Sequence, residues 1–205
     1  KLEKAVVTAA EQFTQKNKIT LNTLVQGVWS YLLHNYTSSK DIVYGVIVSG
    51  RPEELSGIEQ KVGMFINTLP LHSILNKKES VSNWLNELQT KQISAIQYQY
   101  APLQEIQSLT GVSGDLFDSV LIFENYPVSE IIGGKKWNLE VENFHLREQT
   151  NYPLSIIVTN TDEINISFSY NSELLDSVYV KEIRNHFENV LMQMIENADR
   201  KIDDI

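Results

Sequence analysis

The sequence predicts an α/β domain in which helices cover a sheet, and three observations carry that prediction. Residues 42–48 and 119–123 are short apolar runs, the first rich in β-branched residues and bounded by Lys40-Asp41 and Ser49-Gly50-Arg51-Pro52. Runs of that length and composition suit strands buried on both faces, which helices must then cover. Residues 154–160 and 164–170 form a hairpin pattern in which Ile164, Ile166, Phe168 and Tyr170 alternate with polar residues, so one face of it is buried and the other wetter. Long segments with apolar residues at helical spacing lie before, between and after these strands.

Taken in order, Leu2, Ala5, Val6, Ala9 and Phe13 start a first helix. Thr20 is a suitable N-cap for a second, whose apolar face is Leu21, Leu24, Val25, Val28, Trp29, Leu32 and Leu33. It ends in the polar cluster 35–39, and strand 42–48 follows. The turn-rich stretch 50–61 reads as a loop. Residues 67–74 are the next strand, confined by Pro70 to a sheet edge or a bulge. Residues 80–97 are helical, with Val81, Trp84, Leu85, Leu88, Ile93 and Ile96 expected inward. Pro102 starts a short helix carrying Leu103 and Ile106. Residues 137–146 are expected to be a further strand. The last helix runs over 175–197 on Val180, Ile183, Phe187, Val190, Leu191, Met194 and Ile195. This gives five or six strands and four main helices in one unit, without repeat or linker.

Composition excludes several function classes. A 205-residue chain with 42% apolar and 21% charged residues can build one large core. A net charge of -9 argues against a nucleic-acid partner, since phosphate binding needs clustered Lys and Arg. The absence of cysteine excludes disulfides and thiolate chemistry and suits a reducing cytoplasm. No apolar run approaches the roughly 18 residues that span a bilayer. The opening Lys-Leu-Glu-Lys leads straight into a helical pattern, without a signal peptide, so the chain reads as cut from something longer.

Read for chemistry alone, the residues offer no convincing active site. His34, His72, His145 and His186 form no HxxxH pair, and each suits a structural role, His145 beside Arg147 and Glu148 being the hardest to set aside. No GxSxG elbow and no phosphate-cradling glycine loop occurs. Gly133-Gly134-Lys135-Lys136 lacks a following Ser or Thr and reads as a turn, and Glu53-Glu54 and Asp203-Asp204 read as solvated surface.

Five collinear blocks change this picture. They are Ser49-Gly50-Arg51-Pro52; Val62-Gly63-Met64-Phe65-Ile66-Asn67-Thr68-Leu69-Pro70; Tyr98-Gln99-Tyr100-Ala101-Pro102-Leu103-Gln104-Glu105; Leu116-Phe117-Asp118-Ser119; and Phe123-Glu124-Asn125-Tyr126-Pro127. Thr150-Asn151-Tyr152-Pro153-Leu154 and the 170–191 ending extend the series. Together they resemble the C-terminal half of a nonribosomal peptide synthetase condensation domain across nearly the whole chain. Each block alone is weak; their order is specific. One departure is Ser113-Gly114-Asp115-Leu116, where many members carry R-N-P-L, so the polar contribution assigned to that Arg and Asn does not transfer. The form is closer to condensation than to epimerisation or heterocyclisation domains.

The resemblance implies a chloramphenicol acetyltransferase-like lobe with a mixed β-sheet covered by helices. It implies tunnel-lining or substrate-binding roles for Arg51, Gly63, Phe65, Asn67, Thr68, Tyr100, Phe123 and Asn125. Asn67 and Thr68 can bond a substrate amide or fix a loop; Arg51 can anchor its loop through backbone carbonyls or line the donor tunnel. Segment 51–71 resembles the tunnel floor, and 127–137, with Gly133-Gly134, the crossover toward a first lobe. The family's catalytic HHxxxDG is absent here, so no residue of this chain is expected to be catalytic and the fragment alone is expected to be inactive. No cofactor or metal is expected on the lobe itself. The implied partners are the N-terminal lobe, an adjacent adenylation domain and peptidyl carrier proteins whose phosphopantetheine arms bring the substrates, with no nucleic acid and no membrane. A non-catalytic carrier-docking module and a free-standing acyltransferase using His145 are the competing readings.

Overall fold

Local chemistry sets each helix boundary. The computed structural model describes residues 1–52, 55–124, 150–160 and 163–205. Helix α1 is Lys4–Asn17 and α2 is Leu21–Thr37. Between them Lys18 takes the left-handed conformation and its N–H closes onto Gln15 and Thr14 carbonyls, which satisfies groups the helix end leaves open. The Thr20 side chain accepts the Thr23 N–H at 3.0 Å, capping α2. Ser80 does the same for α3, Val81–Ile96, and Asp176 for α5, Ser177–Glu196. The short α4, Leu103–Thr110, follows Pro102 and ends at Gly111 in the left-handed region.

The strands are β1, Asp41–Val48; β2, Asn67–Ile74; β3, Ser119–Glu124; β4, Leu154–Asn160; and β5, Ile164–Tyr170. They form one sheet in the order β2-β1-β3-β4-β5. The outer pairs are antiparallel, Val48 facing Asn67 and Leu154 facing Tyr170, while β1, β3 and β4 run parallel. Pro70 therefore sits on an edge strand, where its missing N–H costs the ladder nothing. The carboxyl ends of the three parallel strands and the start of β2 all lie at one end of the sheet.

One face of the sheet carries the core. Ile42, Tyr44 and Val46 of β1 and Leu69 and Leu71 of β2 pack with Trp29, Trp84, Leu85 and Phe187 of the helices. Trp29 reaches β3, its indole N–H donating to Ser119 Oγ at 3.1 Å. Gly27 lets α2 and α3 approach, since a Cβ there would lie 2.2 Å from Leu85 Cδ2. Residues 198–202 cross the start of α3, where Arg200 and Ala198 carbonyls accept the Val81 and Ser82 N–H groups and Ile202 is buried.

Two sequence expectations need correction. Strand β1 is not buried on both faces along its whole length: Val43 is 37% exposed, while Gly45 on the same face is covered by Phe117. Ile93 and Ile96 do not point inward. The inward stripe of α3 runs from Val81 through Leu88 into Gln92, which bonds Gln26 of α2. That leaves Ile93 on the outer flank and Ile96 at the rim of a small cavity of about 70 Å³. The expected strand over 137–146, the crossover over 127–137 with its Gly133-Gly134-Lys135-Lys136 turn, and Glu53-Glu54 lie outside the described residues.

Buried tyrosine gives the fold a definite alkaline limit. The Tyr44 hydroxyl donates to the Gln26 carbonyl at 2.8 Å, a carbonyl that Ser30 Oγ also reaches at 2.9 Å. Burial pushes the Tyr44 phenol far up, against a smaller opposing effect of the Ser30 contact. Burial, Tyr179 and Glu182 push Tyr36 up to about 12 from 10.0. Both raised groups contribute stability that is complete below pH 10. That stability falls as pH rises further, because the unfolded chain loses those protons first. Urea midpoints are expected to hold up to pH 10 and to drop steeply between pH 10 and 12. Tyr44→Phe should flatten that drop while costing about 0.5–1.5 kcal/mol at neutral pH; an unchanged alkaline slope would refute the assignment.

Candidate functional site

Six of the sequence-predicted site residues gather at the sheet end defined above. Arg51 leaves β1 through Gly50, whose φ of +64° turns the chain back. One Arg51 amino group donates to the Ile58 carbonyl and the other to the Lys61 carbonyl at 3.0 Å. Its guanidinium also lies 4.3 Å from the Phe65 ring centroid, a favourable stack. Its donors are thus committed to holding the 50–66 loop. Gly63 lies against the same ring: a Cβ there would come within 3.2 Å of Phe65.

Asn67 opens β2. Its side-chain amide donates to the Gln99 carbonyl at 2.9 Å and the Ala101 carbonyl at 2.7 Å, and its oxygen accepts the Thr68 N–H at 2.9 Å. Thr68 hydrogen-bonds Tyr152, whose phenol burial pushes up despite that contact. Tyr152 stacks at 5.4 Å on Phe117, which lies under Gly45. Tyr100, 78% exposed, stands on the turn that Asn67 holds.

Two predicted residues stand apart. Phe123, near the carboxyl end of β3 and so at the same end of the sheet, is half-buried and packs against the core rather than joining these hydrogen bonds. Asn125 lies outside the described residues, as does His145. The other histidines serve structure: His34 Nδ1 meets the Ser39 carbonyl at 2.5 Å, His72 faces Asp41 at 3.3 Å, and His186 Nδ1 meets the Tyr36 hydroxyl at 2.8 Å. Among the described residues no cluster of His, Asp and Glu could hold a metal, and no helix is long and apolar enough to cross a membrane.

Sequence reasoning missed the outward-facing half of the block. Val62 and Met64 are wholly exposed and Ile66 is largely so, while the polar Arg51 and Asn67 turn inward. The signal was available as strings of uncharged residues. Residues 62–70 carry no charge, and 92–114 carry Glu105 alone, in a chain that is 21% charged.

A five-stranded mixed sheet covered by helices is the chloramphenicol acetyltransferase-like fold. The sequence matches the condensation-domain family over residues 1–205, and the chain belongs to that family. It is 33% identical to gramicidin S synthase 2 of Brevibacillus brevis, covering 95% of this chain and 4% of that protein. Tyrocidine synthase 3 of Brevibacillus parabrevis is 35% identical over 91% of this chain and 3% of its own length. The chain therefore spans only a few per cent of these curated relatives. Among solved structures, a four-domain nonribosomal peptide synthetase bound to AMP and glycine superposes with a TM-score of 0.87 at 16% identity, over 100% of this chain and 17% of that one. The first condensation domain of the CDA synthetase superposes at 0.75 and 16% identity, over 98% of this chain and 45% of that one.

Proposed function

We propose that the chain is the C-terminal lobe of a condensation domain and helps form an amide bond in a nonribosomal peptide synthetase. An acceptor amine attacks the carbonyl of a donor acyl or peptidyl thioester; the C–N bond forms, the C–S bond breaks, and the amine gives up a proton. Both reactants ride on phosphopantetheine arms of peptidyl carrier proteins, with an adenylation domain adjacent, in the cytoplasm. The lobe binds no cofactor of its own.

The observation that carries this reading is the exposure of the family block. Val62, Met64 and Ile66, with Tyr98 and Tyr100 beside them in an uncharged setting, present apolar groups to water. Exposed apolar clusters mark surfaces built to be covered, and charge depletion is the compositional mark of an interface centre. The partner surface is the first lobe. Coverage of 45% of a solved condensation domain supports one lobe of two.

In this reading the lobe shapes and holds. Confining two tethered reactants together supplies much of the rate gain. Positioning the amine or moving its proton falls to the family's HHxxxDG histidine; that motif is absent from these 205 residues and comes from the first lobe. This chain alone is therefore expected to yield no amide from loaded donor and acceptor carriers, followed by mass spectrometry. The same chain continuous with an HHxxxDG-bearing lobe is expected to yield it. Amide formation by the isolated chain would overturn the half-domain reading.

A further inference from the structure

We infer that Asn67 is a positioning residue of the condensation site: its carboxamide locks the 98–101 turn to the first residue of β2 and so sets the apolar wall around Ile66 and Tyr100. The inference rests on the condensation reading above and concerns how that wall is built.

The side chain has two N–H donors, and both go to carbonyls of one turn, Gln99 at 2.9 Å and Ala101 at 2.7 Å. Its oxygen accepts the Thr68 N–H at 2.9 Å. A substrate carbonyl approaching Asn67 finds no free donor there. The residue type follows from this geometry. Aspartate has no donor at neutral pH and sets a negative charge against two carbonyl oxygens; a hydroxyl can serve only one of them; glutamine is longer by a methylene.

Asn67 pairs with Val48 in the β1–β2 ladder, so the clamp ties the turn to the sheet. Ile66 precedes the clamp, and Tyr98 and Tyr100 flank the Gln99 end of it, all three with most of their surface in water. Outward side chains on two separate segments thus share one internal fastening. Without it, the Gln99 and Ala101 carbonyls turn to water and the turn loses its distance from β2.

The test uses the intact condensation domain with loaded donor and acceptor carriers under single-turnover conditions. Asn67→Asp keeps the acceptor for Thr68 and removes both donors, and Asn67→Ala serves if the charge prevents folding. Each is expected to slow the rate constant at least tenfold, with a smaller fall in the amplitude that counts folded enzyme. Hydrogen exchange at the Gln99, Tyr100, Ala101 and Leu103 amides should accelerate. Tyr100→Ala, at an exposed position, completes a double-mutant cycle, and the double variant is expected to be no slower than the slower single one. A wild-type rate constant in the Asn67 variants, or a lost amplitude at unchanged rate constant, overturns the inference. Multiplying effects of Asn67 and Tyr100 overturn it too, making Asn67 an independent substrate contact. A wild-type domain that forms no amide brings down the condensation reading itself, and this inference with it.

Discussion

Trp29→Ala is expected to lower the stability of this chain by about 3–5 kcal/mol, a large share of the roughly 5–15 kcal/mol that holds a domain folded. Trp29 is 2% exposed, and its indole bridges α2 to the central strand β3. Truncation removes a large buried side chain that joins the helix to the sheet and leaves a cavity in the core. It also takes from Ser119 the indole donor at 3.1 Å, and burying a polar group without its partner adds to the cost. The melting temperature should fall by roughly 6–20 °C, given about 2–4 °C per kcal/mol for a domain of this size. Trp29→Phe separates the two contributions, because it keeps most of the ring and loses the hydrogen bond. Urea denaturation should rank wild type above Phe and Phe above Ala. A Trp29→Ala midpoint equal to wild type would show that the helix–sheet joint does not depend on this side chain.

The same residues show why the fold was legible in the sequence. Trp29, Val28 and Leu32 sit at helical spacing behind a capping Thr20, and pattern and cap agree. Pro70 announced an edge strand because proline cannot serve a ladder from both sides. What failed was the outer boundary of burial. Ile93 and Ile96 carry the right spacing, yet Gln89 and Gln92 fix the α2–α3 contact through Thr20, Thr23 and Gln26. Apolar periodicity cannot register a helix face chosen by amides.

The candidate site was legible as a set of positions and much less as a set of roles. Arg51 and Asn67 are polar residues in a family block, and sequence left each poised between substrate and scaffold. Every hydrogen bond their side chains donate runs to a backbone carbonyl of this chain. Those acceptors carry no side-chain identity, so no residue pattern could point to them. The exposed Val62 and Met64 depart from the general tendency of large apolar side chains to be buried. They become intelligible once a second surface covers them.

Gly50→Ala is the substitution expected to do most to that surface. Gly50 has φ +64°, where an L-residue costs roughly 1–2 kcal/mol, and a Cβ there would lie 1.6 Å from the Phe65 carbonyl oxygen. A backbone atom cannot rotate away as a side chain can, so the 62–66 segment must move as a unit. That motion draws Phe65 from under the Arg51 guanidinium and pulls on Asn67, the next residue but one. Gly57→Ala is the control, for its φ is +76° and nothing lies within 4 Å of the added Cβ. It carries the backbone cost alone. In the intact condensation domain, Gly57→Ala should lose roughly 1–2 kcal/mol of stability and keep its rate constant for amide formation. Gly50→Ala should lose more stability and at least tenfold in rate, because the clash displaces the wall itself. Equal behaviour of the two variants would mean that close contact between Gly50 and Phe65 carries no functional weight, and the site would then have to be sought nearer β3 and β4.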